Sequence, residues 1–297
     1  MGAAGRAAHR GAALSDDRVA PPGTLVLVST PIGNLGDLSP RAVEALASAD
    51  LVACEDTRHS GRLLAHLGLR DRQLLRLDRH REVSGAERVV EVLARGGRVA
   101  VVSDAGTPAV SDPGHRLVER IVEAGYEVRA VPGPSAALAA LVVSGLPTDR
   151  FVVEGFLPRG GVERAERIGE LVAESRTAVI FESPHRVGET LTDLAEACGP
   201  ERPVAVSREL TKLHEETWRG SLGDAAAELD ELRGEVVIVL GPAAEIVRPD
   251  DATLVRALDE AVAAGRSRRD AVREVSARFD VPRNEVYELA TRRSDEG

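Results

Sequence analysis

The chain has 297 residues, 43% of them hydrophobic, which is enough for two domains with cores of their own and too apolar for a disordered chain. A formal net charge of −10 excludes a surface built throughout to coat nucleic acid, although it leaves room for a local basic site. No stretch approaches the roughly 20 apolar residues of a membrane-spanning helix. Cys54 and Cys198 lack C-x-x-C spacing, so neither a disulfide framework nor a zinc site is expected, and a cytoplasmic location is.

Residues 1–22 carry Ala, Gly and Arg without an apolar core of signal-peptide length, are interrupted by Asp16 and Asp17, and read as a disordered leader. Residues 24–29 (TLVLVS) form a first strand. In the TPIGNLGDLSPRA that follows, Pro31, Gly33 and Gly36 make a rigid turn, with Ser39 as N-cap and Pro40 at the first position of a helix to about 49. A second strand over 50–54 ends in the polar cluster EDTRHS, and a helix over 57–67 is stopped by Gly68. A short strand over 74–77 and a helix over 84–95 precede residues 99–102, a continuous apolar run that marks a parallel strand covered on both faces. A helix over 112–124, capped by Asp112, leads to a strand over 127–131 and then PGPSA. This alternation predicts a parallel α/β domain of about five strands over residues 23–146.

Gly145 and Pro147 mark a hinge. A second α/β domain over 147–248 has strands near 151–155, 178–182, 204–208, 216–220 and 235–240, with helices near 162–173, 184–198 and 223–232. Two strands lie close around one helix between 215 and 235, so its sheet is expected to be mixed. Pro249 opens a small helical appendage, 249–297, with helices over 251–264, 267–278 and 282–292. Its polar side carries Arg266, Arg268, Arg269, Arg273, Arg292 and Arg293.

Neither G-x-G-x-x-G after the first strand nor G-x-x-x-x-G-K-[ST] occurs, which removes the best support for a dinucleotide or P-loop site. Four polar loops each follow a strand of the first domain: 30–34, 55–60, 103–108 and 132–136. In open α/β sheets ligands sit beyond the carboxyl ends of the strands. Four such loops therefore point to a ligand crevice with Asp104, ahead of Gly106 and Pro108, as a polar anchor; for any single loop an ordinary turn is the alternative. Ser135, at the start of a helix, suits a carboxylate or ribose hydroxyl, or is simply an N-cap. Glu182, in FESPHR, either faces the cleft or begins a capped helix. Of 38 Lys plus Arg only Lys212 is lysine. Lysine, unlike arginine, can lose its proton when desolvated, so Lys212 is a base, a cation that acidifies a hydroxyl, or an exposed surface lysine. Arg58, His59, Arg62, His80 and Arg81 lie after strands where phosphates would be met. No H-E-x-x-H or Cys/His spacing occurs, and no metal is expected.

Together TPIGNLGDLSPRA, EDTRHS, VSDAGTPAVSDPGHRLV, PGPSAALAAL, SGLPTDRF, EGFLPR, FESPHR and RELTK resemble the small-subunit rRNA cytidine 2′-O-methyltransferases, a branch of the tetrapyrrole methylase superfamily. The likeness runs from Leu25 to Arg293. PGPSA is shared across the superfamily, whereas SDAGTP with EDTRH and RELTK marks the branch. The resemblance implies S-adenosylmethionine as methyl donor in a cleft between two α/β domains, a homodimer, small-subunit ribosomal RNA as acceptor, and no membrane. It implies that Ser103, Asp104, Ala105, Gly106 and Val110, Ser135 and Ala136, and backbone near Leu210 and Pro242 hold the cofactor. Pro31 falls near its methionine end and Glu182 close by. Where the family often has His-Asn-Glu, this chain has His80-Arg81-Glu82. For the chemistry, Lys212 is expected as base or hydroxyl-acidifying cation, with Glu55 and Asp56 as rival bases. Arg58, His59 and Arg186 are expected on phosphates, and Arg266, Arg268 and Arg269 of the appendage on RNA. The alternatives are a porphyrinoid methyltransferase of the same superfamily and a non-catalytic nucleotide-sensing module; a dehydrogenase lacks its glycine fingerprint.

Overall fold

The computed structural model describes residues 23–77, 82–244, 249–279 and 281–292. The leader, and His80, Arg81 and Arg293 among the residues named above, lie outside the described residues. In the first lobe β1 (Thr24–Val28), β2 (Leu51–Cys54), β3 (Leu74–Arg76), β4 (Arg98–Val102) and β5 (Glu127–Val131) alternate with α1 (Pro40–Ala47), α2 (Thr57–His66), α3 (Glu82–Ala94) and α4 (His115–Glu123). The strands are all parallel, in the order β3-β2-β4-β1-β5.

The unbroken apolar runs of β2 and β4 are buried because helices cover both faces of the sheet. Ala42 and Leu46 of α1 and Leu64 of α2 pack on one face, and Val89 and Leu93 of α3 with Leu117 and Ile121 of α4 pack on the other. Burying each such leucine fully stabilises the lobe by about 1.5–3 kcal/mol. Neighbouring β1 and β4 therefore send their chains to opposite faces. A crevice opens between their carboxyl ends, the topological switch point of the sheet.

Ser39 Oγ accepts from Ala42 N with Pro40 behind it, as the sequence predicts for α1. The expected start of α4 at Asp112 is not observed. The helix begins at His115 behind Gly114, whose φ is 132°, because Pro113 disfavours a helical Asp112; Asp112 is left at the cleft.

The second lobe comprises α5 (Ala136–Ser144), β6 (Phe151–Phe156), α6 (Gly161–Val172), β7 (Thr177–Glu182), α7 (Val187–Cys198), β8 (Pro203–Arg208), β9 (Glu216–Ser221), α8 (Leu222–Glu228) and β10 (Val236–Leu240). Its sheet, β6-β7-β10-β8-β9, pairs β6 with β7 in parallel and the other neighbours antiparallel, the mixed sheet expected. α5 precedes the 146/147 boundary, yet its Ala137, Ala140 and Leu141 pack on Val179, Ala205, Val237 and Val239 of the second sheet. A helix apolar on nearly every side needs cover of this kind, and the two lobes form one compact unit ending at Ala243.

The second compact unit holds α9 (Asp251–Ala263), α10 (Arg268–Phe279) and α11 (Arg283–Arg292). Asp250 caps α9 by accepting from Thr253 N. Leu254, Leu258, Val275 and Val286 build a core of the unit's own. Among the described residues no helix is long and apolar enough to cross a membrane.

A candidate active-site cleft at the switch point

The loops after β1 and β4 are joined across the switch point. Thr30 N donates to Gly106 O at 2.9 Å and Gly106 N to Thr30 O at 3.1 Å. Thr30 Oγ1 donates to Ser103 O at 3.2 Å, and Ser103 Oγ to the carbonyls of Ala105 and Gly106 at 3.1 and 3.3 Å. Ser103 is thus a staple within the loop. Thr107 Oγ1 reaches Pro134 O at 3.3 Å and ties in PGPSA. Ala109 and Ser111 take φ of 67° and 60°, which costs a non-glycine residue about 1–2 kcal/mol; strain of this kind gathers at functional sites. A Cβ on Gly155 of β6 would come 2.8 Å from Ser111 Oγ. Only glycine lets the second lobe approach this loop.

The cleft encloses about 380 Å³, within the range of small-molecule sites. Ile32, Val110, Phe156, Phe181 and Val237 give it apolar walls, while Ala105, Gly106, Ser135 and Ala136 expose backbone and one hydroxyl. Asp104, Asp112, Glu182 and Glu235 also line it, and no Arg, Lys or His does among the described residues. Glu182 and Glu235 are answered from outside the lining by Arg186 and Lys212, and the acidic surface that remains favours a cationic ligand.

Of the residues tied to the cofactor by resemblance, Asp104, Ala105, Gly106, Val110, Ser135, Ala136 and Glu182 come together on this cleft. Pro31 and Ser103 adjoin the lining residues Ile32 and Asp104. Leu210 lies in the hydrophobic layer shared with Ile32 and Val237. Pro242 does not join them. The cleft meets β10 at its start, and Gly241 N donates to Pro203 O at the far end, so Pro242 is removed by about five strand residues, roughly 16 Å. Asp112, Phe156, Phe181 and Glu235 are lining residues that sequence reasoning missed. The signal was available: two of the chain's four phenylalanines stand in EGFLPR and FESPHR, and their rings lie 5.6 Å apart.

Glu182 has a fully buried side chain. It accepts from Thr190 Oγ1 at 2.7 Å and from Ser183 N at 2.7 Å. Thr190 in turn accepts from Arg164 Nη2 at 3.1 Å, and Arg164 is held by Asp193 and by Pro158 O. Arg186 points into this network, with Nη2 on Pro158 O at 3.1 Å and Nη1 at 3.6 Å from Glu182. Arg186, expected on a phosphate, has its guanidinium turned toward these two partners. A buried carboxylate four residues earlier draws its guanidinium inward.

Lys212 Nζ donates to Glu209 Oε1 at 2.8 Å and to Glu235 Oε2 at 3.1 Å. Burial pulls its pKa down, but the two carboxylates outweigh that and hold it above the ordinary lysine value. Glu209 is held below the usual carboxylate range, chiefly by the Lys212 hydrogen bond. Of the two chemical roles open to Lys212, this geometry supports the cation. A Cβ on Gly33 would lie 2.5 Å from Lys212 Cγ, so the TPIGN loop touches the lysine stem, and Glu235 links its ammonium to the cleft wall.

Asp56 caps α2, accepting from Arg58 N at 2.8 Å, and its own N–H donates to Asp104 Oδ1 at 3.3 Å. The Arg58 backbone and side-chain bonds hold the Asp56 carboxyl below its usual range, which makes it a weak base. Glu55 borders a separate small cavity beside Asp112 and Gly114. Arg58 is 91% exposed at its side chain, and His59 Nδ1 lies 3.3 Å from Arg62 Nη2. Arg266, Arg268 and Arg269 are exposed in the helical unit.

Two α/β lobes, a parallel sheet read at its switch point and an acidic cleft lined by three of the four loops are the architecture of the tetrapyrrole methylase class. A family model described as tetrapyrrole (corrin/porphyrin) methylases matches residues 24–226, and the chain belongs to that family. Ribosomal RNA small subunit methyltransferase I of Synechocystis sp. is 44% identical over 272 residues, 90% of this chain and 97% of that protein. The protein of the same name from Xylella fastidiosa is 49% identical over 228 residues, 75% of this chain and 83% of the relative. The solved methyltransferase CobJ superposes with a TM-score of 0.58 at 26% identity, covering 75% of this chain and 95% of that one.

Proposed function

We propose that the protein transfers a methyl group from S-adenosylmethionine to the ribose 2′ hydroxyl of a cytidine in small-subunit ribosomal RNA, acting in the cytoplasm as a homodimer. The observation that carries this reading is the cleft whose lining holds Asp104, Asp112, Glu182 and Glu235 and no basic residue among the described ones, in a chain whose relatives are named for small-subunit rRNA methylation. The residues fit the donor: carboxylates complement its sulfonium and ammonium, and the apolar walls and Ser135 suit a nucleoside. When bound, it supplies a methyl group made electrophilic by the sulfonium. Asp104, Ser135 and the backbone of residues 105, 106 and 136 would hold it, with Pro31 and Leu210 close to the cleft.

Much of the acceleration comes from positioning the ribose hydroxyl. The Lys212 ammonium favours the oxygen's developing negative charge, and the proton passes to solvent. Arg58 and His59 take phosphates near the cleft, and the 249–297 appendage holds RNA through Arg266, Arg268 and Arg269. Leu138 and Val142, one turn apart on α5 and 49% and 71% exposed, support an interface between two copies.

A porphyrinoid substrate is the rival within the family. Two observations favour RNA. CobJ is matched almost whole by three-quarters of this chain, whereas a match over 90% of it must include part of residues 249–297. The test incubates purified protein and labelled donor with unmodified small subunits or with porphyrinogens, then maps the product by mass spectrometry and alkaline hydrolysis. Label in a cytidine that resists alkaline cleavage is expected; label in the porphyrinogen alone overturns the reading.

A further inference from the structure

Between the first turns of α10 and α11 lies a groove of about 820 Å³ lined by Arg268, Arg269, Arg273, Arg283, Asn284 and Tyr287. Over residues 249–297 eleven acidic residues outnumber nine arginines. The cluster is therefore a local sorting of charge and not the property of a generally basic tail. Arg273 pairs with Asp270 at 2.9 Å, and Arg268 and the rim residue Glu288 have partners of their own. Arg269 and Arg283 have no ion pair among the described residues. Tyr287 stands beside them, 63% exposed, while its neighbour Val286 is fully buried in the core of the unit. The inward face of α11 is satisfied without the tyrosine ring, which offers an aromatic surface to whatever enters the groove.

We propose that this groove holds one unpaired nucleotide of the RNA, the base stacked on Tyr287 with the Asn284 amide at its edge and the flanking phosphates on Arg269 and Arg283. The inference rests on the reading of RNA as substrate and adds a base-binding subsite to it. Arginines alone serve any polyanion. An exposed ring and an amide among them suit a splayed base, which single strands and loops supply and an A-form duplex does not.

The test measures binding of full-length protein to a fluorescent single-stranded RNA, to a hairpin of equal length and to inorganic polyphosphate. Stacking on an aromatic side chain is worth about 5- to 160-fold in affinity. Tyr287→Ala is expected to lose that much for the single strand, Tyr287→Phe to stay within about twofold of wild type, and neither to change polyphosphate binding. Arg283→Ala is expected to weaken both ligands and to lower the salt dependence by about one phosphate contact. Single-strand binding unchanged in Tyr287→Ala overturns the subsite, as does equal weakening for polyphosphate. Wild-type protein that ignores RNA overturns the substrate reading itself. RNA binding that depends on the arginines but not on Tyr287 overturns the subsite alone.

Discussion

Lys212→Met separates the charge of the one lysine from its stem. Methionine keeps the contact with Gly33 and removes the ammonium from between Glu209 and Glu235. Glu235 is 73% exposed and Lys212 28% exposed, so the outer pair contributes little, and losing both pairs is expected to cost about 1 kcal/mol. In a protein of this size that lowers Tm by about 2–4 °C. The fall in methyl transfer is expected to be far larger, about 10²- to 10³-fold, the usual cost of removing one group that stabilises developing negative charge. Donor affinity should stay within about threefold, since Lys212 is not a lining residue of the cleft. Because the lysine pKa is raised, the ammonium persists through neutral and moderately alkaline pH, and its stabilising contribution is lost only as pH rises through that raised value. A cation therefore predicts no rise in rate between pH 6 and 9 that is absent from the variant. The assay is single-turnover methyl transfer to unmodified small subunits, with donor affinity by calorimetry and Tm by scanning calorimetry. Normal turnover in Lys212→Met, or donor affinity falling in step with rate, would refute the reasoning.

Gly106→Ala places a Cβ at φ +81° and 3.3 Å from Ile32; about 1–2 kcal/mol of stability and at least tenfold in donor affinity should be lost, and calorimetry showing wild-type affinity would contradict this. Arg164→Met leaves Thr190 and Asp193 without their Arg164 donor and Pro158 O with Arg186 alone; urea unfolding is expected to show a loss of about 1–3 kcal/mol, and a midpoint matching wild type would count against the network. The Arg176 hydrogen bonds at 2.7 and 2.8 Å depress the Glu174 pKa to about 2. A depressed carboxylate stabilises the fold above its unfolded pKa and loses that contribution as pH falls toward the folded one, so Glu174→Gln should cost about 1 kcal/mol at pH 7 and nothing near pH 2. Equal losses at both pH values would show that the charge is irrelevant. Removing residues 249–297 should weaken RNA binding and lower its salt dependence while leaving donor binding intact; undiminished RNA affinity in the truncated chain would rule the appendage out.

Periodicity and loop chemistry made the first lobe legible almost whole, because parallel strands announce themselves as unbroken apolar runs and their loops as Gly/Pro-rich strings. The cleft was legible only on that side. Glu209 and Glu235 are 26 residues apart, and they meet because β8 and β10 pair antiparallel with Arg208 opposite Val236; nothing in local sequence signals such a register. The inward turn of Arg186 depends on the depth at which Glu182 is buried, which a string of residue types does not record. Asp112 looked like a cap because Asp commonly is one. The φ of 132° at Gly114 moved the helix start three residues on and released the carboxylate to the cleft.

The membership of α5 in the second sheet relocates the joint of the molecule. PGPSA leads straight into that helix, so the chain first reaches the second sheet through the Pro132-Gly133-Pro134 segment, ahead of the Gly145 to Pro147 hinge expected from the sequence. That segment is stiff at both prolines, and its glycine is seated where a Cβ would lie 2.9 Å from Ser29. Such a joint resists swinging. A chain crossing with few free torsions lowers the ordering cost of binding, and it shifts discrimination among visitors toward shape and charge.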